Sequence, residues 1–117
     1  MSLKNYEVID LAGQPANACL CGTSRRAPLG EMGFPFSVHQ TTISVDAARH
    51  SHRQTTEAYY ILDCGPDAAM ELDGERIPVK RGMLIGLRPG CVHRAIGAMT
   101  VLIVVHPRHD GDDEFPA

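Results

Sequence analysis

From Ser37 onward the sequence breaks into short stretches in which apolar and polar residues alternate, and each stretch runs into a turn. Thr41, Ile43 and Val45 alternate with Gln40, Thr42 and Ser44, and Glu57, Tyr59 and Ile61 alternate with Ala58, Tyr60 and Leu62. A period of two is strand behaviour, because successive side chains point to opposite faces. Ser37 to Val45 and Glu57 to Leu62 therefore read as strands. Ala69 to Leu72, Glu75 to Val79, Met83 to Leu87, Val92 to Ile96 and Met99 to Val105 follow them. Asp73-Gly74 is the strongest hairpin signal, Pro78 marks an edge position, and the run Val101 to Val105 is apolar enough to be the best buried. Seven strands, hairpin-length links and no sustained helical period predict an all-β fold, an antiparallel double-sheet sandwich or barrel with little or no helix.

At 117 residues the chain is read as one domain. Its parts are an N-terminal arm over 1–36, a core over 37–105 and an acidic, proline-bearing tail over 106–117. In the arm, Tyr6 to Ile9 and Ala18 to Cys21 are expected as short strands and Gly22 to Pro35 as loop. Aromatic residues make up 5% and tryptophan is absent, so the core must be aliphatic.

A net charge of −3 gives no electrostatic footprint for nucleic acid or an anionic membrane. Arg25-Arg26, the one adjacent arginine pair, reads as a solvated loop. The N-terminus lacks the basic start and apolar run of a signal peptide, and Val101 to Val105 is too short to span a bilayer. A cytoplasmic protein is expected. The four cysteines are not spaced as a disulfide framework or a zinc ribbon, so reduced thiols are the default. Cys19 and Cys21 would share a strand face, either as a minor metal or redox site or as two small buried residues.

Chemistry concentrates in His50-Ser51-His52-Arg53-Gln54-Thr55-Thr56-Glu57. His50 and His52 share a strand face, whereas Glu57 lies an odd number of positions on, so Arg53 to Thr56 must bend to re-aim it. Two imidazoles and a carboxylate on one point suit a divalent metal; a polar hairpin corner is the other reading. A further ligand is available on another strand, in Gly82-Met83-Leu84-Ile85-Gly86-Leu87-Arg88-Pro89-Gly90-Cys91-Val92-His93.

With both segments in order, the chain resembles the cupin superfamily over Val38 to Val105. His50, His52 and Glu57 fit the first cupin motif, with Gly65 one residue later than usual. Gly82, Gly90 and His93 fit the second. Ser44 stands where the motif has glycine before HxH, Arg88 where it has proline, and Gly97 where it has asparagine. None of these is a ligand position. The resemblance implies a small jelly-roll barrel with His50, His52, Glu57 and His93 turned into its mouth around one divalent transition metal per chain (Fe, Mn, Ni, Zn, Co or Cu). Open coordination positions would remain for water or substrate.

The expected function is a metal-dependent enzyme of oxygenase, isomerase or lyase type, acting on a small polar metabolite. The alternative is a non-catalytic metal-dependent binding or sensor protein. Tyr59 shares the face of Glu57, so its hydroxyl could touch substrate or pass a proton, or its ring could simply pack. Cys91 either reaches the cavity or is a buried turn thiol, and Arg94 is expected in solvent. Counting back from His50 would put Gln40 and Thr42 inside, whereas hydrophobic alternation puts Thr41, Ile43 and Val45 inside, and His39 with them. A bulge or loop over Asp46 to Arg49 reconciles the two in favour of the second. The segment Pro107-Arg108-His109-Asp110 could form a lip over the barrel, contact a second subunit or stay loose. A small-molecule ligand and a homodimer are the expected partners, with no nucleic acid and no membrane.

Overall fold

The computed structural model describes residues 4–19, 22–44, 46–107 and 111–117. Among them run strands β1 (Ala16–Cys19), β2 (Gly22–Ala27), β3 (Ser37–Ile43), β4 (His50–Ser51), β5 (Thr56–Cys64), β6 (Ala69–Leu72), β7 (Glu75–Pro78), β8 (Leu84–Leu87), β9 (His93–Ile96), β10 (Met99–His106) and β11 (Phe115–Pro116). Three single turns of 3₁₀ helix, at Leu11–Gly13, Gly30–Met32 and Gly111–Asp113, are the only helical pieces among the described residues. Six strands form one sheet, in the order β1-β2-β3-β10-β5-β8, and five form the other, β11-β4-β9-β6-β7. Neighbouring strands pair antiparallel throughout. This is the all-β, double-sheet fold expected.

The hairpin-length links predicted mainly antiparallel pairing, which holds, although among the strands after Glu57 only β6 and β7 pair with a neighbour in sequence. Their turn has Asp73 at φ 50° and Gly74 at φ 85°, the left-handed pair of a two-residue hairpin. Every other link after β3 carries the chain across to the opposite sheet. Such crossing makes a jelly roll rather than a meander, and it lets residues close in sequence face one another across the core. Pro78 lies on edge strand β7, where its missing N–H breaks no inner ladder.

The inward faces fill with aliphatic side chains. Ile61, Met70 and Val101 are fully buried, packed with Ile43, Ile85, Leu87, Ile103 and Val105. Each such side chain contributes roughly 1.5–3 kcal/mol by leaving water. On the outside of the smaller sheet Glu71 pairs with Arg49 at 2.7 Å and Arg94 at 3.1 Å, so Arg94 is half-buried in an ion pair rather than free in solvent.

Two readings of the arm are corrected. Tyr6 to Ile9 is not a strand, while Gly22 to Ala27, expected as loop, is strand β2 paired along β3. The cause is its inward residues: Ser24 lies opposite the buried Thr41 and Arg26 opposite the buried His39, so polar groups occupy the core-facing positions and hide the period. Arg25 and Arg26 are consequently half-buried on a strand, and the Arg25 guanidinium donates to the Gln14 carbonyl. Cys21 lies outside the described residues, and with it the pairing of Cys19 and Cys21; so do Arg108, His109 and Asp110. Cys64 and Cys91 are free thiols.

Candidate functional site

His50, His52, Glu57 and His93 come together between the sheets. β4 supplies His50, the loop after it His52, β9 His93, and β5 of the opposite sheet Glu57. His50 and His93 are direct cross-strand partners. The phase break before Glu57 has a simple cause: residues 52–55 carry the chain from one sheet to the other, and on the far sheet the opposite parity points inward. The second motif is tied to the first where Gly90, at φ 92° in its turn, donates its N–H to the His52 carbonyl at 2.6 Å.

All four side chains are buried, and one ligand atom from each lies within 4.8 Å of the others. Each imidazole has its Nδ1 against a backbone carbonyl: His50 to Ala48 at 3.0 Å, His52 to Asp113 at 2.7 Å and His93 to Cys91 at 2.9 Å. A carbonyl can only accept, so each Nδ1 carries a proton, and a ring with no second proton presents a bare Nε2 lone pair. His52 Nε2 and His93 Nε2 approach Glu57 Oε1 to 2.9 and 3.3 Å, yet all three atoms are buried without a satisfactory hydrogen bond. Electron-rich atoms packed face to face call for a cation at their centre. The residues fit a divalent metal.

The electrostatics favour a neutral His50 and an ionised Glu57. Burial, and then the neighbouring His93, push His50 down, towards the neutral form a metal ligand needs. Burial alone would raise the Glu57 carboxyl, but His52 and His93 outweigh it and hold it at about 2, ionised at any physiological pH. Burial likewise works against protonating His52, but contact with Glu57 overcomes it and raises that group. Tyr59 is buried on the face of Glu57, its ring edge-on to His93 at a centroid separation of 5.9 Å. Burial and then the Glu57 charge raise its phenol well above the usual value, so it stays protonated.

His39 does face inward, since Ser37, His39, Thr41 and Ile43 are the buried positions of β3 and residues 46–49 are irregular. Its Nε2 lies 3.0 Å from Ser37 Oγ. Cys91 is half-buried against the core, its thiol raised by burial and by Asp73.

Two features were missed. The tail is part of the site: β11 pairs with β4, with Phe115 opposite Ser51 and Pro116 opposite His50. The Asp113 carboxylate accepts from the backbone N–H groups of Arg53, Gln54 and Thr55 and from Thr55 Oγ1, at 2.7–3.0 Å. Phe115, the only large aromatic of the tail, lies under the Arg53 guanidinium at 3.9 Å and was the one available signal. The second is a cavity of about 650 Å³ bordered by Arg26, Glu31, Phe34, Ser37, His39 and Pro107.

Comparison with known proteins agrees with the fold. A structure of a protein from Planctomyces limnophilus is 35% identical, covering 94% of this chain and 96% of its own, with a TM-score of 0.90. Streptomyces Pac13, solved with uridine, superposes at a TM-score of 0.82 with 14% identity over 98% of this chain and 92% of its own. Ectoine synthase from P. lautus does so at 0.77, with 21% identity over 96% and 90%. No curated protein matches the sequence. No described helix is long and apolar enough to cross a membrane. The cupin domain family matches residues 38–106, more than half of the sequence and the stretch that holds all four residues of the buried cluster, and the chain belongs to that family.

Proposed function

We propose that the protein is a metal-dependent enzyme of lyase or isomerase type that acts on a small polar metabolite, with His50, His52, Glu57 and His93 as the ligands of one divalent transition metal. The observation that carries this reading is the commitment of all three Nδ1 atoms to backbone carbonyls, with the Nε2 atoms of His52 and His93 converging on a Glu57 carboxylate oxygen and all three buried without a hydrogen-bond partner. Four protein ligands leave room for substrate oxygens, and the metal would supply Lewis-acid polarisation of a bound carbonyl or hydroxyl.

The chain's own contribution is orientation and proton handling. The backbone carbonyls of Ala48, Cys91 and Asp113 fix the ring planes. Tyr59 holds a proton beside the site and is positioned to donate it to a leaving oxygen. The lyase preference over oxygenase chemistry draws on two structural neighbours, a nucleoside dehydratase and ectoine synthase.

We further propose a cytoplasmic homodimer. The free thiols of Cys64 and Cys91 support a reducing compartment. Tyr60, Leu84 and Val104, exposed together on the outer face of the six-stranded sheet, support self-association.

The test is elemental analysis of the protein as purified, set beside His50→Ala and His93→Ala, followed by turnover of a panel of hydroxy and keto acids and nucleosides. Near-stoichiometric metal lost in both variants, with turnover lost alongside it, is expected. Equally little metal in all three removes the metal centre. Metal without turnover, together with tight ligand retention, makes the protein a binding module.

A further inference from the structure

The cavity of about 650 Å³ lies at the arm end of the larger sheet, away from the four ligand residues, and is of a size to hold a small metabolite. Its polar wall is built by strand register. Arg26 on β2 is the cross-strand partner of His39 on β3, so both side chains rise from the inner face. His39 is anchored by Ser37. Arg26 is different: its Nε is buried without an acceptor, and its guanidinium makes no hydrogen bond or ion pair among the described residues. A buried guanidinium N–H left without an acceptor is costly in a folded protein, and a ligand is one way of supplying that acceptor. Phe34, braced edge-on against Phe36 at 6.0 Å, and Pro35 supply apolar walls, while Glu31 stands at the exposed rim.

We propose that Arg26, with His39 beside it, is a binding site for the carboxylate group of a small organic acid. A guanidinium matches a carboxylate one to one in charge and in its forked geometry. A phosphate dianion would find one arginine and a neighbouring glutamate, leaving its second charge uncompensated. The position also suits the catalytic reading. His39 and Tyr59 are both register partners of Ile103, and Ser37 and Glu57 both of Val105, so the two sites share one inner face two strands apart, roughly 10 Å. An acid anchored at Arg26 would extend its other end towards the metal corner. That reach rests on the proposed function; the carboxylate site does not.

The experiment is calorimetric titration of pyruvate, lactate and succinate, with inorganic phosphate and glycerol alongside, into the full chain both metal-loaded and chelator-stripped. At least one carboxylate is expected to bind both forms, more tightly than phosphate, and Arg26→Gln to weaken it roughly ten- to hundredfold. The site is overturned by carboxylate affinity unchanged in Arg26→Gln, by phosphate binding more tightly than every acid, or by no acid binding at all. Binding that vanishes on stripping would assign the carboxylate to the metal instead, overturning this site while leaving the metal centre standing. Should Arg26→Gln fail to fold, Arg26→Lys keeps the charge without the fork and is expected to bind less tightly than wild type. The His39 ring resonances of the wild type should in addition shift on adding the acid, and their constancy would overturn the proposal.

Discussion

Removing the Asp113 side chain tests how far the proposed metal corner depends on a segment sixty residues away in sequence. The carboxylate acts as a cap for the corner, taking the N–H groups of Arg53, Gln54 and Thr55 and the Thr55 hydroxyl. Loss of a capping carboxylate costs about 0.5–2 kcal/mol, and four partners put this one towards the top of the range. About 2 kcal/mol shifts the balance between a docked and a released tail by roughly thirtyfold. The backbone carbonyl of the same residue orients His52, and losing the group behind a metal-bound imidazole weakens metal by about 10–100-fold.

Asp113→Ala should therefore weaken metal binding by roughly tenfold, and truncation after Pro107 by closer to a hundredfold. Asp113→Asn, which keeps the shape, should fall between wild type and Ala. The assay is competition against a chromophoric zinc chelator, with thermal unfolding beside it. Metal affinities within about twofold of wild type in both Asp113→Ala and the truncated chain would refute the coupling.

The pH dependence has a definite sign. The Asp113 carboxyl is lowered from 3.8 to about 2; burial alone would raise it, but the Thr55, Gln54 and Arg53 hydrogen bonds outweigh that. A depressed acid stabilises above its unfolded value and loses that stabilisation as pH falls through its folded one. Release of the tail by titration of this group is thus confined to the window from 3.8 down to about 2 and leaves neutral pH untouched.

Tyr59→Phe should leave metal content and folding near wild type while lowering kcat by about 10²–10⁴-fold on whichever substrate turns over, and an unchanged kcat would reduce Tyr59 to a packing residue. Ile61→Ala empties a fully buried position and should cost about 2–5 kcal/mol in urea unfolding. Leu84→Asp puts a charge into the exposed apolar patch; light scattering should show a monomer, and an undiminished dimer mass would exclude that face as the interface.

The double-sheet fold was legible because β8 and β10 place an aliphatic side chain at every second position and β3, although its inward residues are mostly polar, is rich in β-branched residues. The rule fails where the inward side chain is polar. β2 was invisible because its inward residues are Ser24 and Arg26, and the same fact makes it the wall of a cavity rather than more core. The buried His/Glu cluster was legible for a related reason. His50 and His52 are close in sequence, the Pro89-Gly90 turn fixes where the next strand starts, and cross-strand pairing of His50 with His93 follows once both strands sit in the smaller sheet.

What could not be read was what lies behind the cluster. The acceptors for the Nδ1 protons are backbone carbonyls, which any residue supplies, so nothing in the identities of Ala48, Cys91 or Asp113 marks them. The tail was harder still, because a carboxylate in an acidic run looks the same whether it faces water or caps a loop, and only Phe115 distinguished this run from a solvated end. Residues that build the ligand cluster therefore announce themselves by type and spacing. Those that aim its rings depend on where the backbone passes, and substituting their side chains will often leave the aiming intact. Asp113 is the exception that can be tested, because its side chain secures the very segment whose carbonyl holds His52.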